Sequence, residues 1–157
     1  MKFNIKEIHT RISNNPVFKI STKIIFFIYL FYLFYLVFLS SFYGRGVIHR
    51  NYNFIPFKTI SEFLFFSDNM RAILRNIVGN IAAFVPMGFL LPLVFSKMNK
   101  HHKVFAVILT ATLFIEISQF IFGVGTCDVD DVVLNFIGGI IGYEIYSFIT
   151  YYTTCNN

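Results

Sequence analysis

Three aspartates, Asp128, Asp130 and Asp131, fall within four residues at the start of the stretch CDVDDVVLNFIGGIIGY, 127–143. An oxygen-rich acidic cluster suits a hard divalent cation such as Mg²⁺ or Ca²⁺. Here the DxDD spacing lacks the DxDxDG register of a calcium loop, and a metal is not the favoured reading. The same acids could pair with cations, contact a substrate, or cap the helix that follows, because a carboxylate near a helix N-terminus gains about 0.3–1 kcal/mol from the dipole. Glu116 is the best general base in the chain, because partial burial lifts a carboxyl toward neutrality. Arg50 and Arg75 carry the forked donors that suit phosphate oxygens. Ser–His–Asp logic finds no support: His49 is the one histidine expected on the outer side, with no obvious nucleophile beside it. His101 and His102 sit in a basic loop and read as solvated, not as metal ligands.

These residues must be held by mostly apolar elements. The chain has 157 residues, 56% hydrophobic, 20% aromatic and 13% charged, with mean hydropathy +0.66. Soluble domains carry about 25% charged residues, so the composition is that of a membrane protein. The net charge of +5 is explained by clustered topology signals. No basic helix or aromatic platform for nucleic acid is present. Spanning a bilayer takes about 20 apolar residues, and four stretches qualify: 24–42, 76–95, 104–122 and 132–150. The first is longer than a signal-peptide core and is expected to remain as a span. The fold class is therefore all-α, an integral membrane bundle of four transmembrane helices in a single domain.

Orientation follows Lys and Arg. Five lie in the leader 1–23, three in the loop SKMNKHHK, and none between Gly123 and Asp131. Both termini are then cytoplasmic, although the long first loop also holds five. Within that loop, NFIPFKTISEFLFF places Pro56 ahead of a short helix with Ile60, Phe63 and Leu64 on one face, a helix lying in the membrane interface. The two cysteines, Cys127 and Cys155, show no CxxC spacing and read as free thiols on opposite sides of the membrane.

Polar residues inside the spans are expensive and therefore informative. Asn76 and Asn80 share a face at i, i+4, as do Asp131 and Asn135, while Glu116 and Gln119 share one at i, i+3 with Thr112 a turn earlier. At 1.5 Å per residue, Asn80, Glu116 and Asn135 lie about 6, 9 and 5 Å from the outer ends of their spans. Three helices thus bring polar faces to one level in the outer leaflet. Interhelical hydrogen-bond glue accounts for any one of them; the set, with the acidic loop at the same mouth, points to a site. Gly138 and Gly142 form a GxxxG spacing that reads as packing within the monomer. Pro86 and Pro92 fall inside the second span and can kink it. Glu144 is left without a role.

RNYNFIPF at 50–57, RNIVGNIAAFVPMGFLLP at 75–92, EISQ at 116–119 and DVDDVVLNFIGGIIGY at 128–143 together resemble the VanZ-like family of small bacterial membrane proteins, named for teicoplanin resistance. The motifs cover roughly 50–143 in order. Many members carry Arg where this chain has Gly125, which leaves any anion contact there to Arg50 or Arg75. The resemblance implies a multi-span protein of the bacterial plasma membrane linked to the cell envelope and to lowered susceptibility to lipid-tailed glycopeptides. It brings no settled reaction. The expected function is binding or remodelling of an outer-leaflet lipid or peptidoglycan precursor, through Arg50, Asn53, Arg75, Asn76, Asn80, Gln119, Asp128, Asp130 and Asn135, with Glu116 and Asp131 as the candidate catalytic pair. The alternatives are an enzyme acting on an envelope lipid or peptide, with Glu116 as base, and a structural partner of a larger envelope complex. A transporter ranks below these, because four spans are few and no inverted repeat is visible.

Overall fold

The computed structural model of the chain describes residues 15–40, 49–66, 69–98 and 100–155; the side chains of 49–51, 66, 72, 154 and 155 lie outside that description. Helix α1 (Pro16–Phe34) opens with a sequence-encoded start. The Asn15 side chain accepts the Val17 N–H at 2.9 Å, and Pro16 takes the first helical position, where its missing N–H costs nothing. The helix begins at Pro16, ahead of the expected Ile24, because Lys19 and Lys23 do not end it. Long basic side chains extend toward water while their stems lie along apolar surface. It continues through a π turn, Tyr35–Leu39, and stops at Ser40.

After β1 (His49–Asn53) comes the expected short helix, α2 (Lys58–Phe66), which begins just after Pro56. One turn of helix, α3 (Met70–Ile73), passes through a second π turn, Leu74–Val78, into α4 (Gly79–Val94). Helix α5 (His101–Phe122) ends at Gly123, whose φ of 65° is the left-handed conformation that glycine adopts without penalty. Strand β2 (Val124–Asp128) then leads into α6 (Val129–Cys155).

Four segments are long and apolar enough to cross a bilayer: Pro16–Leu39, Leu74–Val94, His101–Phe122 and Val129–Thr153. The second has 21 residues and at 1.5 Å each spans about 31 Å, the thickness of the hydrocarbon layer. The chain is a multi-pass membrane protein. Apolar side chains such as Phe31, Phe114 and Phe148 point outward and are exposed, as lipid-facing positions require.

The tightest packing joins α4 and α6 backbone to backbone. A Cβ on Gly138 would land on the Ile81 carbonyl oxygen, and one on Gly142 on the Val85 carbonyl oxygen. These glycines, one turn apart, let the helices approach closely, so this GxxxG face is spent within the monomer. Phe84, Met87, Leu91, Val104, Ile108 and Tyr143 fill the core around the contact. Helix α1 leans on α4. The Tyr29 hydroxyl donates to the Ala83 carbonyl at 2.8 Å, in the turn that Pro86 weakens.

One feature has no counterpart in the hydropathy pattern. Strands β1 and β2 pair in parallel, Arg50 opposite Gly125 and Asn53 opposite Asp128. The ladder straps the loop between the first two spans to the root of α6 and holds α2 over that end of the bundle.

Candidate functional site

Asp128 and Asp130 are fastened into the fold. The Asp128 carboxylate accepts the Asn53 amide at 3.0 Å, the Thr59 hydroxyl at 2.5 Å and the Asp130 N–H at 2.9 Å. The last of these caps α6 at its own N-terminus. Asp130, fully buried, reaches the other way. Its two oxygens accept the Phe57 N–H at 2.6 Å and the Ile60 N–H at 3.1 Å. Asp130 thus supplies α2 with the N-terminal cap that its own sequence lacks, across a separation of 70 residues. Phe57, whose N–H donates to the other Asp130 oxygen, has φ 64°, a left-handed conformation unfavourable for a bulky side chain.

Beneath this clamp the expected polar faces meet. Glu116, buried on α5, accepts the Asp128 N–H at 3.0 Å. Asn80 on α4 donates to Asp131 on α6 at 2.5 Å. Asn135 donates to Thr112 at 3.0 Å, joining α6 to α5. Gln119 donates to the Val37 carbonyl at 3.2 Å, inside the first π turn. All four spans are therefore tied at one level by side chains from the expected set.

Two cavities flank the Asn80–Asp131 bond. The outer one is an open cleft of about 390 Å³ whose polar lining includes Asn53, Lys58, Thr59, Glu62, Asn76, Asn80, Asp128 and Asp131, with Tyr52 and Phe63 beside them. The inner one is a pocket of about 20 Å³ among Asn80, Glu116, Gln119, Asp131 and Asn135, large enough for about one water. Asn76, in the second π turn, lines the cleft. Its Oδ1 is buried with no hydrogen-bond partner among the described residues. An orphaned buried acceptor costs roughly 1–3 kcal/mol, and π turns concentrate at functional sites.

The structure thus brings Asn53, Asn76, Asn80, Asp128 and Asp131 to the cleft, and Glu116, Gln119 and Asn135 to the pocket beneath it. Asp130 holds the rim. Arg75 does not join them. It lines a separate groove with Arg71 on another side of the same helix. Arg50 stands in β1 opposite the cleft residue Gly125, and its side chain is outside the described atoms. Thr59, Lys58 and Glu62 enter the cleft without having been picked out. Nothing in α2's apolar pattern distinguishes them from solvated helix positions, and only the β1–β2 strap turns them inward. Among the described residues, no three His, Cys, Asp or Glu side chains gather as a metal site, and the Asp128 and Asp130 carboxylates are aimed at N–H and O–H donors.

Cys127 lies in β2 at the edge of the site and is a free thiol. Burial, then the neighbouring Glu116 and Asp128 carboxylates, push its pKa up. This is the opposite of an activated nucleophile. At the other end of the bundle, the exposed His101 and Glu144 approach within 3.3 Å, which gives Glu144 a partner across α5 and α6 far from the cleft.

These observations define a class: a four-span membrane protein whose loops at one end are strapped over a polar cleft between the helices. The family described as VanZ/LLP1 matches residues 26–150. The chain belongs to this VanZ-like family. A curated relative, "Protein VanZ" of Enterococcus faecium, is 34% identical over 97 residues, which cover 62% of this chain and 53% of that protein. The match thus spans about half the length of the relative. No solved structure matches the chain.

Proposed function

We propose that the chain binds the polar head of an outer-leaflet lipid or envelope precursor in the cleft, and that this VanZ-like protein thereby lowers susceptibility to teicoplanin-type glycopeptides. The observation that carries the reading is the convergence of in-span polar residues from α4, α5 and α6 beneath an open cleft of about 390 Å³. Helix-to-helix glue needs no such opening. Among the described side chains, Glu62, Asp128 and Asp131 outweigh Lys58 in the lining. Such a lining suits a head rich in hydroxyl, amine or amide donors. The protein sits in the bacterial plasma membrane with its cleft outward and both termini cytoplasmic. This orientation is supported by the exposed Lys97, Lys100, His101 and Lys103 at the opposite end of the bundle.

An enzymatic role for Glu116 gains no support from its surroundings. Its carboxyl borders a pocket of about 20 Å³, behind the Asn80–Asp131 bond, which leaves no room for a substrate. The test is extraction of lipids from purified wild type, Arg50→Ala and Asp131→Asn protein, followed by mass spectrometry. An envelope lipid enriched with wild type and lost with Asp131→Asn supports binding in the cleft. Equal lipid profiles count against it, and a stoichiometric protein partner in its place would favour the scaffold reading.

A further inference from the structure

The face of α3–α4 turned away from the cleft carries a second, chemically different feature. Arg71 and Arg75, one helical turn apart, line one end of a groove of about 530 Å³ whose other described lining residues are apolar or small: Leu74, Val78, Gly79 and Ala82. Past Gly79 and Ala82 the groove adjoins a second, of about 500 Å³, between α4 and the end of α1. Among the described residues no carboxylate lines either one, and the described linings of the first and of the cleft share no residue. Depth matters here. The span begins at Leu74, so both arginines sit at the hydrocarbon boundary, the level of lipid phosphates, while Gly79 and Ala82 lie one to two turns deeper.

Cations at the phosphate level above an apolar channel match one kind of molecule, an amphiphile with an anionic head. Guanidinium forks suit phosphate oxygens. The small side chains of Gly79 and Ala82 leave depth for a hydrocarbon chain against the helix. We propose that this groove seats an outer-leaflet phospholipid, its phosphate on Arg71 and Arg75 and one acyl chain along Gly79 and Ala82. The seat does not depend on the cleft: it stands whether or not the cleft takes a ligand.

The experiment is native mass spectrometry of the full chain in detergent, titrated with phosphatidylglycerol and, separately, with diacylglycerol bearing the same acyl chains. Phosphatidylglycerol should bind about tenfold more tightly, which corresponds to ~1.4 kcal/mol. Arg71→Gln/Arg75→Gln should bring it to the diacylglycerol level. Arg71→Lys/Arg75→Lys should keep most of the preference, and Ala82→Phe, by filling the channel, should weaken both lipids. Equal affinity of the two lipids for the wild type overturns the proposal even if a variant fails to fold, and so does a double Gln variant that binds phosphatidylglycerol as wild type does. A third arm adds millimolar inorganic phosphate. If it displaces phosphatidylglycerol while Ala82→Phe changes nothing, the site binds an anion and not a lipid, and the proposal fails.

Discussion

Replacing Asp130 with alanine removes a carboxylate that accepts two backbone N–H groups, those of Phe57 and Ile60. Each donor left without an acceptor costs roughly 1–3 kcal/mol, toward the low end where water can enter. Phe57 is an exposed residue and Ile60 a half-buried one, so water relieves part of the loss. The expected net cost is about 3 kcal/mol, concentrated on α2. This helix has nine residues, too few to be stable without its cap and its strap. Local opening free energy sets amide exchange, and at 1.4 kcal/mol per factor of ten, 3 kcal/mol accelerates exchange on the order of 100-fold. The assay is hydrogen–deuterium exchange of the protein in detergent, read on peptides covering 57–66 and compared with peptides in α4 and α6. Asp130→Asn keeps one acceptor oxygen and should show roughly half the free-energy effect. Asp131→Asn, one residue along, should leave α2 protected. Exchange in 57–66 of Asp130→Ala within about threefold of wild type would refute the idea that the acidic cluster works as a clamp.

Other substitutions test other joints. Gly142→Ala drives a methyl into the Val85 carbonyl and should destabilise the bundle by about 1–3 kcal/mol, seen as a lower melting temperature in detergent. Gly79→Ala, outside that interface, should have a much smaller effect. Because burial and two carboxylates raise the Cys127 thiol pKa, its thiolate fraction at neutral pH lies below that of a free thiol. Alkylation by a membrane-impermeant maleimide should therefore be slow near pH 7 and accelerate only above the ordinary thiol pKa. With the proposed orientation, the label should reach Cys127 in intact cells and not Cys155. Glu144→Gln removes an exposed contact with His101 and should change stability by less than about 1 kcal/mol.

The parts of this architecture that repeat within one helix were legible in the sequence. Asn76 with Asn80, Glu116 with Gln119, and Asp131 with Asn135 show a helical period inside apolar runs, and the spans are long enough to give depth. That placed the faces at one level. Pairing between distant segments was not legible. Strand β1 is five residues of mixed polarity, HRNYN, and its parallel partner lies beyond helices α2 to α5, so neither local propensity nor alternation announces it. The role of Asp130 was hidden for the same reason: a cap is normally sought next to the helix it serves, and this one comes from the far end of the chain. Arg75 was grouped with the cleft because both lie toward the loop between the first two spans. The structure separates them around the helix, Asn76 and Asn80 on the cleft side and Arg71 and Arg75 on the groove side. The early start of α1 was encoded by Asn15 and Pro16, but Lys19 and Lys23 masked it from a reading based on hydropathy.

The central claim is that the cleft is a working site and not only the point where helices are fastened. Asp131 tests it best, because asparagine keeps an acceptor for Asn80 while removing the charge that faces both cavities. The decisive measurement is the teicoplanin inhibitory concentration of a susceptible Gram-positive host expressing wild type or Asp131→Asn at matched membrane levels. The account predicts that wild type raises the value and Asp131→Asn returns it to baseline with α2 still protected from exchange. Asp131→Asn protecting the host as well as wild type would contradict it.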